Sequence, residues 1–464
     1  MKVLLINSVC GVGSTGKICQ DLYWALKKQG HICKIAWGRK KGGTVPEADT
    51  IQIGTQFDCY LHALSTRIFD NTGFCSQRAT EGFIERVKVY DPDVIHLHNI
   101  HGYYINIRIL FNFLKVCKKK IIWTLHDCWS FTGHCVYMDF VGCQKWKTQC
   151  FLCPQKSDYP RSLLLDRSYK NYREKKELFT GIEDLHIVTP SFWLEGLVKE
   201  SFLKEYPVTV VHNGIDATVF HPTVSDIRKH YGLEERRIVL GVAYQWTARK
   251  GYQDMLRLAA LLPKDKYKVV LIGVNEKQIK ELPRSILGIP RVQGQDLNKW
   301  YSAADVFVNP TYEEVFGMVN VEAQLCGTPV VSYRTGGCPE TKISENCFFL
   351  EKGDVQSMVR LVKQIEPKNP SEINVPDEAI ALNSGSKTGE ARDAEDTKEK
   401  QSLSSLICQR GESGGYQSML RHIVSLYLDN LRGGVRLRLW AFCLSCLRGF
   451  SVPKITFDGA AEGE

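Results

Sequence analysis

The sequence predicts an α/β protein of two successive doubly wound parallel-sheet domains, followed by a polar, poorly ordered tail. Three observations predict it. Short apolar runs alternate with helical stretches from the start of the chain. The alternation restarts after His212-Asn213-Gly214, and it fades into a polar, aromatic-poor stretch from Pro367. A length of 464 residues accommodates two or three domains with real cores. With 44% hydrophobic and 24% charged residues, the chain is neither wholly disordered, collagen-like nor a multi-span membrane protein.

The first domain is expected over residues 1–190. Val3–Ile6 reads as a strand, Gly16–Gln29 as a helix and Ile32–Trp37 as the next strand. Val94–His98, Ile121–Leu125 and Ile187–Thr189 read as later strands, several ending in polar residues where open α/β sheets bind ligands. The second domain is expected over residues 191–366, the chain break falling somewhere between Thr180 and Asn213. Its strands are Ile238–Val242, Lys268–Ile272, Val306–Val308 and Pro329–Ser332, with helices over Gly251–Leu262 and Leu297–Ala303. Residues 367–415 read as a disordered linker and 416–464 as a helical, basic and apolar tail. Within that tail, Met419, Ile423, Tyr427 and Leu431 share one side of a helix over Tyr416–Leu431. The segment from Arg436 to Phe450 suits either packing or peripheral attachment to an anionic membrane surface.

A net charge of +9 suits anionic ligands or such a membrane surface and is too small to imply nucleic acid. The 17 cysteines are odd in number, and MKVLLINSVCGVGS reads as a first strand rather than an export signal. No apolar run has the length of a spanning helix. A cytoplasmic protein with reduced thiols is the expectation.

Gly11-Val12-Gly13-Ser14-Thr15-Gly16-Lys17-Ile18 follows the first strand. Ile18 stands where a P-loop needs a hydroxyl for magnesium, so that reading falls. As G-x-G-x-x-G the loop fits a dinucleotide turn, but Gly38-Arg39-Lys40-Lys41 replaces the acid that would take the ribose hydroxyls. Those cations keep an NADP-dependent oxidoreductase open as an alternative. All these readings put phosphate against backbone N–H groups at a helix N-terminus.

The second domain carries Glu314-Val315-Phe316-Gly317-Met318-Val319-Asn320-Val321-Glu322-Ala323, then Cys326-Gly327-Thr328-Pro329-Val330. This places Glu314 in a loop and Glu322 in the following helix, both able to face a pocket. The segment matches the E-x-F-G-x-x-x-x-E-A motif of family 4 retaining glycosyltransferases, and the chain resembles that family over roughly residues 1–366. His212-Asn213-Gly214-Ile215-Asp216, Arg249-Lys250-Gly251 and Thr335-Gly336-Gly337 extend the resemblance. It implies a GT-B fold, two Rossmann-like domains facing across a cleft, and transfer from a nucleotide diphosphate-sugar to a glycan or lipid-linked acceptor, with no metal in the transfer. Bacterial exopolysaccharide, capsule or O-antigen assembly is the implied setting, at the inner face of the membrane. A non-catalytic GT-B binding protein is the remaining alternative.

By the resemblance, Glu322 would bind the donor ribose and Glu314 the donor sugar, with His126 beside the reacting carbon. Lys250, helped by Arg249, would neutralise the diphosphate, which Gly13 and Gly16 would approach from the first domain. Phe316, Gly317, Met318 and Val319 would complete the donor site. Gln245 stands where many members carry a second phosphate-binding arginine.

An insertion after His126 holds Cys135, Cys143, Cys150 and Cys153, with His134 adjacent. The count suits a tetrahedral structural zinc. Free or occasionally paired thiols, and an iron–sulfur cluster, are the alternatives. The insertion resembles a cysteine-bearing loop of some polysaccharide-assembling members.

Overall fold

The computed structural model describes residues 1–366 and 414–428. The expected 367–415 linker, apart from its last two residues, and the Arg436–Phe450 membrane segment lie outside the described residues. The first sheet is parallel and takes β1 (Lys2–Ile6), β2 (Ile32–Trp37), β3 (Thr50–Gln52), β4 (Val94–Leu97), β5 (Lys120–Thr124), β6 (Leu185–Thr189) and β7 (Val208–Val210). Their spatial order is β3-β2-β1-β4-β5-β6-β7. The second sheet takes β8 (Arg237–Val242), β9 (Tyr267–Ile272), β10 (Ile286–Ile289), β11 (Val306–Asn309), β12 (Val330–Tyr333) and β13 (Cys347–Leu350), in the order β10-β9-β8-β11-β12-β13. Both orders reverse direction beside the first strand of their sheet. An open α/β sheet binds its ligand at such a reversal.

The domain boundary moves. The helix Phe192–Glu200 and β7 follow residue 190, yet β7 pairs with β6 through Ile187↔Val208 and Thr189↔Val210. The first sheet therefore runs to Val210, inside the Thr180–Asn213 interval expected for the break but past residue 190, because Pro190 ends a strand without ending the sheet.

Each sheet is covered on both faces, which is why its inner strands are apolar throughout. One face of the first sheet packs Leu4, Ile6, Ile95, Leu97, Ile121 and Trp123 beneath Phe83, Phe111 and Phe179. The other packs Val3, Leu5, Ile35 and Val94 beneath Leu22, Tyr23 and Leu26 of the helix Gly13–Lys28. Met419, Leu420, Ile423, Val424 and Tyr427 complete that second face. The C-terminal helix Gly414–Leu428 therefore returns to the first domain, and Met419 Sδ accepts the Gly214 N–H (3.2 Å) at the interdomain crossing.

Ile423 is buried in that face, so Ile423→Ala should cost about 2–4 kcal/mol. Calorimetry should show the loss in the unfolding transition of the first domain. A loss confined to the second domain would contradict the docking.

Candidate active site

Two carboxylates of the second domain grip backbone amides of the first. Glu313 is buried because its neighbours Thr311 and Val315 are packed inward, and its side chain crosses the cleft. Its Oε1 accepts N–H bonds from Met138 (2.8 Å) and Asp139 (2.9 Å), and its Oε2 accepts one from Phe140 (3.0 Å). Burial pushes the Glu313 carboxyl up, and the three N–H donors only partly offset this. Glu340 does the same at the start of the helix Phe192–Glu200, accepting from the Phe192 (2.8 Å) and Trp193 (3.0 Å) amides. His212 Nε2 lies 3.0 Å from the same Glu340 carboxylate. Lys352 and Asp139 add an ion pair across the cleft (2.7 Å).

An open cavity of about 1270 Å³ lies between the domains. Two helix N-termini open onto it, one from each domain. Val12 and Gly317 precede these helices, and neither has a side-chain cap, so the first-turn N–H groups are left for a ligand. From the first domain the lining includes Gly13, Ser14, Lys17, Arg39, Arg67 and Tyr103. From the second it includes Tyr244, Arg291, Met318, Val319 and Glu322.

Glu322 reaches the cavity from one turn inside the helix Met318–Leu325 and accepts a hydrogen bond from Tyr301 Oη (2.9 Å). Burial pushes its carboxyl up to about 7, although Tyr301 and Lys17 across the cleft pull the other way. Glu314 is ion-paired to Lys250 Nζ. Burial alone would raise the Glu314 carboxyl, but Lys250 and then Arg249 hold it below the usual carboxylate range. Arg249 lies over the Tyr137 ring (3.9 Å) and donates to the Glu313 carbonyl (3.2 Å). Tyr137 therefore links the cysteine insertion to the Arg249–Glu314 side, and it also lies within electrostatic reach of Asp127. His126 is half-buried beside Asp127, and burial pushes it down to about 4.

The candidate residues divide into two groups. Gly13, Met318, Val319 and Glu322 line the large cavity, whereas His126, Arg249, Lys250 and Glu314 are not on its wall. Three expected donor contacts, Gly16, Phe316 and Gly317, are also absent from that wall. A Cβ on Gly16 would come within 3.0 Å of Val9 Cγ2 and 3.2 Å of Gly11 N, so this glycine serves close helix packing. Phe316 is buried against His212, ring centroids 5.3 Å apart. Gly317, at φ +93°, supplies the left-handed turn that starts the helix. Gly336 supports the site from behind, since a Cβ there would meet the Glu314 carbonyl at 1.8 Å.

The cysteine insertion gathers its thiols at one place. His134, Cys135, Cys143, Cys150 and Cys153 share one small cavity. Cys150 Sγ accepts the Gly133 N–H (3.2 Å), and Cys135 and Cys153 share a hydrogen bond that holds Cys153 below the usual thiol range. Among the described residues, no three His, Cys, Asp or Glu side chains are arranged to hold a metal ion.

Sequence reasoning missed Lys17, Tyr137, Tyr301 and Glu313. Lys17 carried a legible signal, a cation in the first turn after a glycine loop. The others meet their partners only through long-range packing.

The two-domain architecture and the paired N-termini define the GT-B class of fold. The solved structure of sucrose-phosphate synthase from Thermosynechococcus elongatus aligns with 93% of this chain and 99% of its own, at TM-score 0.60 and 16% identity. Anabaena Alr3699/HepE in complex with UDP aligns with 92% of this chain and all of its own, at TM-score 0.56 and 14% identity. Residues 224–379, about a third of the chain, match the family model described as glycosyl transferases group 1. The putative colanic acid biosynthesis glycosyl transferase WcaC of Escherichia coli K12 is 27% identical over 231 residues, 47% of this chain and 55% of that protein. The chain thus spans about half the length of the curated relatives it matches first.

Glu322 gives a pH signature. Its raised folded value favours the protonated form in the free protein, and that contribution is lost as pH rises through about 7. Ribose hydroxyls pair best with the charged form, so nucleoside diphosphate affinity by calorimetric titration should rise between about pH 6 and about pH 8. Glu322→Gln should bind more weakly and lose the slope. An unchanged slope in that variant would assign the titration elsewhere.

Proposed function

We propose that the protein is a retaining glycosyltransferase that moves a sugar from a nucleotide diphosphate-sugar to a glycan or lipid-linked acceptor. One observation carries the reading. A single cavity takes two uncapped helix N-termini from opposite domains, with Lys17 on one wall and the Glu322 carboxylate on the other. N–H groups and a cation suit a diphosphate, and a carboxylate one turn away suits vicinal ribose hydroxyls. The family match over the second domain and the UDP held by a structure of the same fold support the same donor class.

In the reaction, the bond between the sugar C1 and the diphosphate oxygen breaks, and a bond from C1 to the acceptor oxygen forms on the same face. The acceptor hydroxyl gives its proton to the departing phosphate oxygen. Lys250, Lys17 and the helix N-termini spread the charge that builds on the diphosphate. Glu314 holds Lys250 in place and is the carboxylate nearest to it for a sugar hydroxyl. His126, neutral because it is buried, lies in the first domain beside Asp127 and is the group that the resemblance sets near the reacting carbon. WcaC is named for colanic acid biosynthesis, which supports a setting in polysaccharide assembly. Work at the cytoplasmic face of a membrane fits such acceptors. No helix among the described residues is long and apolar enough to cross one.

Screening nucleotide diphosphate-sugars for thermal stabilisation, then for turnover by mass spectrometry, tests the reading. One or more should stabilise the protein and be consumed. Stabilisation by NADP alone would favour an oxidoreductase, and binding without turnover a non-catalytic protein. Glu314→Ala should lower turnover about 10–100-fold, the loss of one charged hydrogen bond at about 1.5–3 kcal/mol. Unchanged kcat in that variant would remove Glu314 from the chemistry.

A further inference from the structure

A row of three histidines runs through the first domain from the C-terminal helix to the candidate site. His96, on β4, is buried with both ring nitrogens held. Its Nδ1 lies 2.6 Å from Tyr427 Oη and its Nε2 lies 2.7 Å from Thr124 Oγ1. The His98 ring packs against it at a tilt of 35°, centroids 4.1 Å apart. His98 Nδ1 in turn lies 3.0 Å from His126 Nε2, the two ring planes 12° from parallel and meeting edge to edge.

Burial keeps all three rings neutral near pH 7, pushing His96 down to about 3, His98 well below its usual value and His126 to about 4. The His98–His126 contact therefore contains one hydrogen, and only one ring donates. His98 is 1% exposed, and its Nε2 has no hydrogen-bond partner among the described residues. Were His126 the donor, the hydrogen of His98 would sit on that Nε2 as an orphaned buried N–H. Such groups are rarer than orphaned acceptors, and an unmet one costs about 1–3 kcal/mol. With His98 donating from Nδ1, the unmet atom is a lone pair, and the hydrogen of His126 moves to Nδ1 on the half-buried side of the ring.

We propose that His98 sets the tautomer of His126, so that His126 offers Nδ1–H to the substrate as a hydrogen-bond donor, while Tyr427 and Thr124 anchor the stack through His96. His98, His96 and Tyr427 are positioning residues. The inference deepens the sugar-transfer reading, on which it rests for the role of His126. A donor at that place stabilises an oxygen of the sugar or diphosphate, and Nε2 is not free to remove a proton.

The test is long-range proton–nitrogen NMR of the full-length protein labelled with ¹⁵N-histidine. The His126 signals are identified by their loss in His126→Gln. His126 should carry its hydrogen on Nδ1 in the wild type. In His98→Asp, whose carboxylate accepts from His126 and does not donate, Nε2 should carry the hydrogen. Turnover should follow, with about tenfold or more lost in kcat for folded His98→Asp at little-changed donor KM. Tyr427→Phe, which keeps the ring, should lower kcat less. Nε2–H on wild-type His126, which needs no variant to fold, or a bare Nε2 in folded His98→Asp, would overturn the proposal. The NMR readout needs no substrate, so a wild type that turns over no nucleotide-sugar would sink the transfer reading alone.

Discussion

The candidate site depends on carboxylates that bind amides across the cleft. A buried carboxylate is costly unless its oxygens are paired. Glu313 meets that requirement only where three successive N–H groups of residues 138–140 converge on it. Glu340 meets it at the open end of the helix Phe192–Glu200. Both pairings exist only when the domains face each other at one spacing and one angle. The same closure brings Lys17 towards Glu322 and Tyr137 against Arg249. Because Glu313 is bonded to the next residue, Glu314, the contact that docks the domains also places a candidate sugar-binding carboxylate.

Charge within the site is arranged in opposing pairs. Lys250 is matched by Glu314, and the excess cations Lys17, Arg39, Arg67 and Arg291 line the cavity. A diphosphate entering this field gains from those cations and from two helix N-termini without stripping Lys250 of its partner. Glu322 is the exception, a carboxyl raised by burial amid that positive field and held by Tyr301. Ribose hydroxyls would give it the donors it lacks, so ligand binding completes its hydrogen bonding.

The inner strands were legible in the sequence because both their faces are buried, and their apolar runs are correspondingly continuous. Ile32–Trp37 matches residue for residue, and the other inner strands shift by one or two. The edge strands Thr50–Gln52, Ile286–Ile289 and Cys347–Leu350 are short, and sequence reading passed over them. Strand Val208–Val210 was missed in the same way. Glu314 and Glu322 were legible because a motif fixes their spacing. Gly16 carries a close-packing requirement that the sequence pattern does not distinguish from approach to a phosphate. Glu313, Tyr301 and the His96–His98–Tyr427 row depend on partners up to 331 residues away, which no local pattern encodes.

The central claim is that the second domain holds the nucleotide, with its diphosphate between the two helix N-termini. A crystal structure of the full chain with a nucleoside diphosphate tests it most directly. The account predicts the ribose hydroxyls on the Glu322 carboxylate and the phosphates at the N–H groups that open Met318–Leu325, facing Gly13 and Lys17. A nucleotide seated instead in the first domain, with its phosphates on Gly13 and its ribose on Arg39 and Lys40, would contradict it.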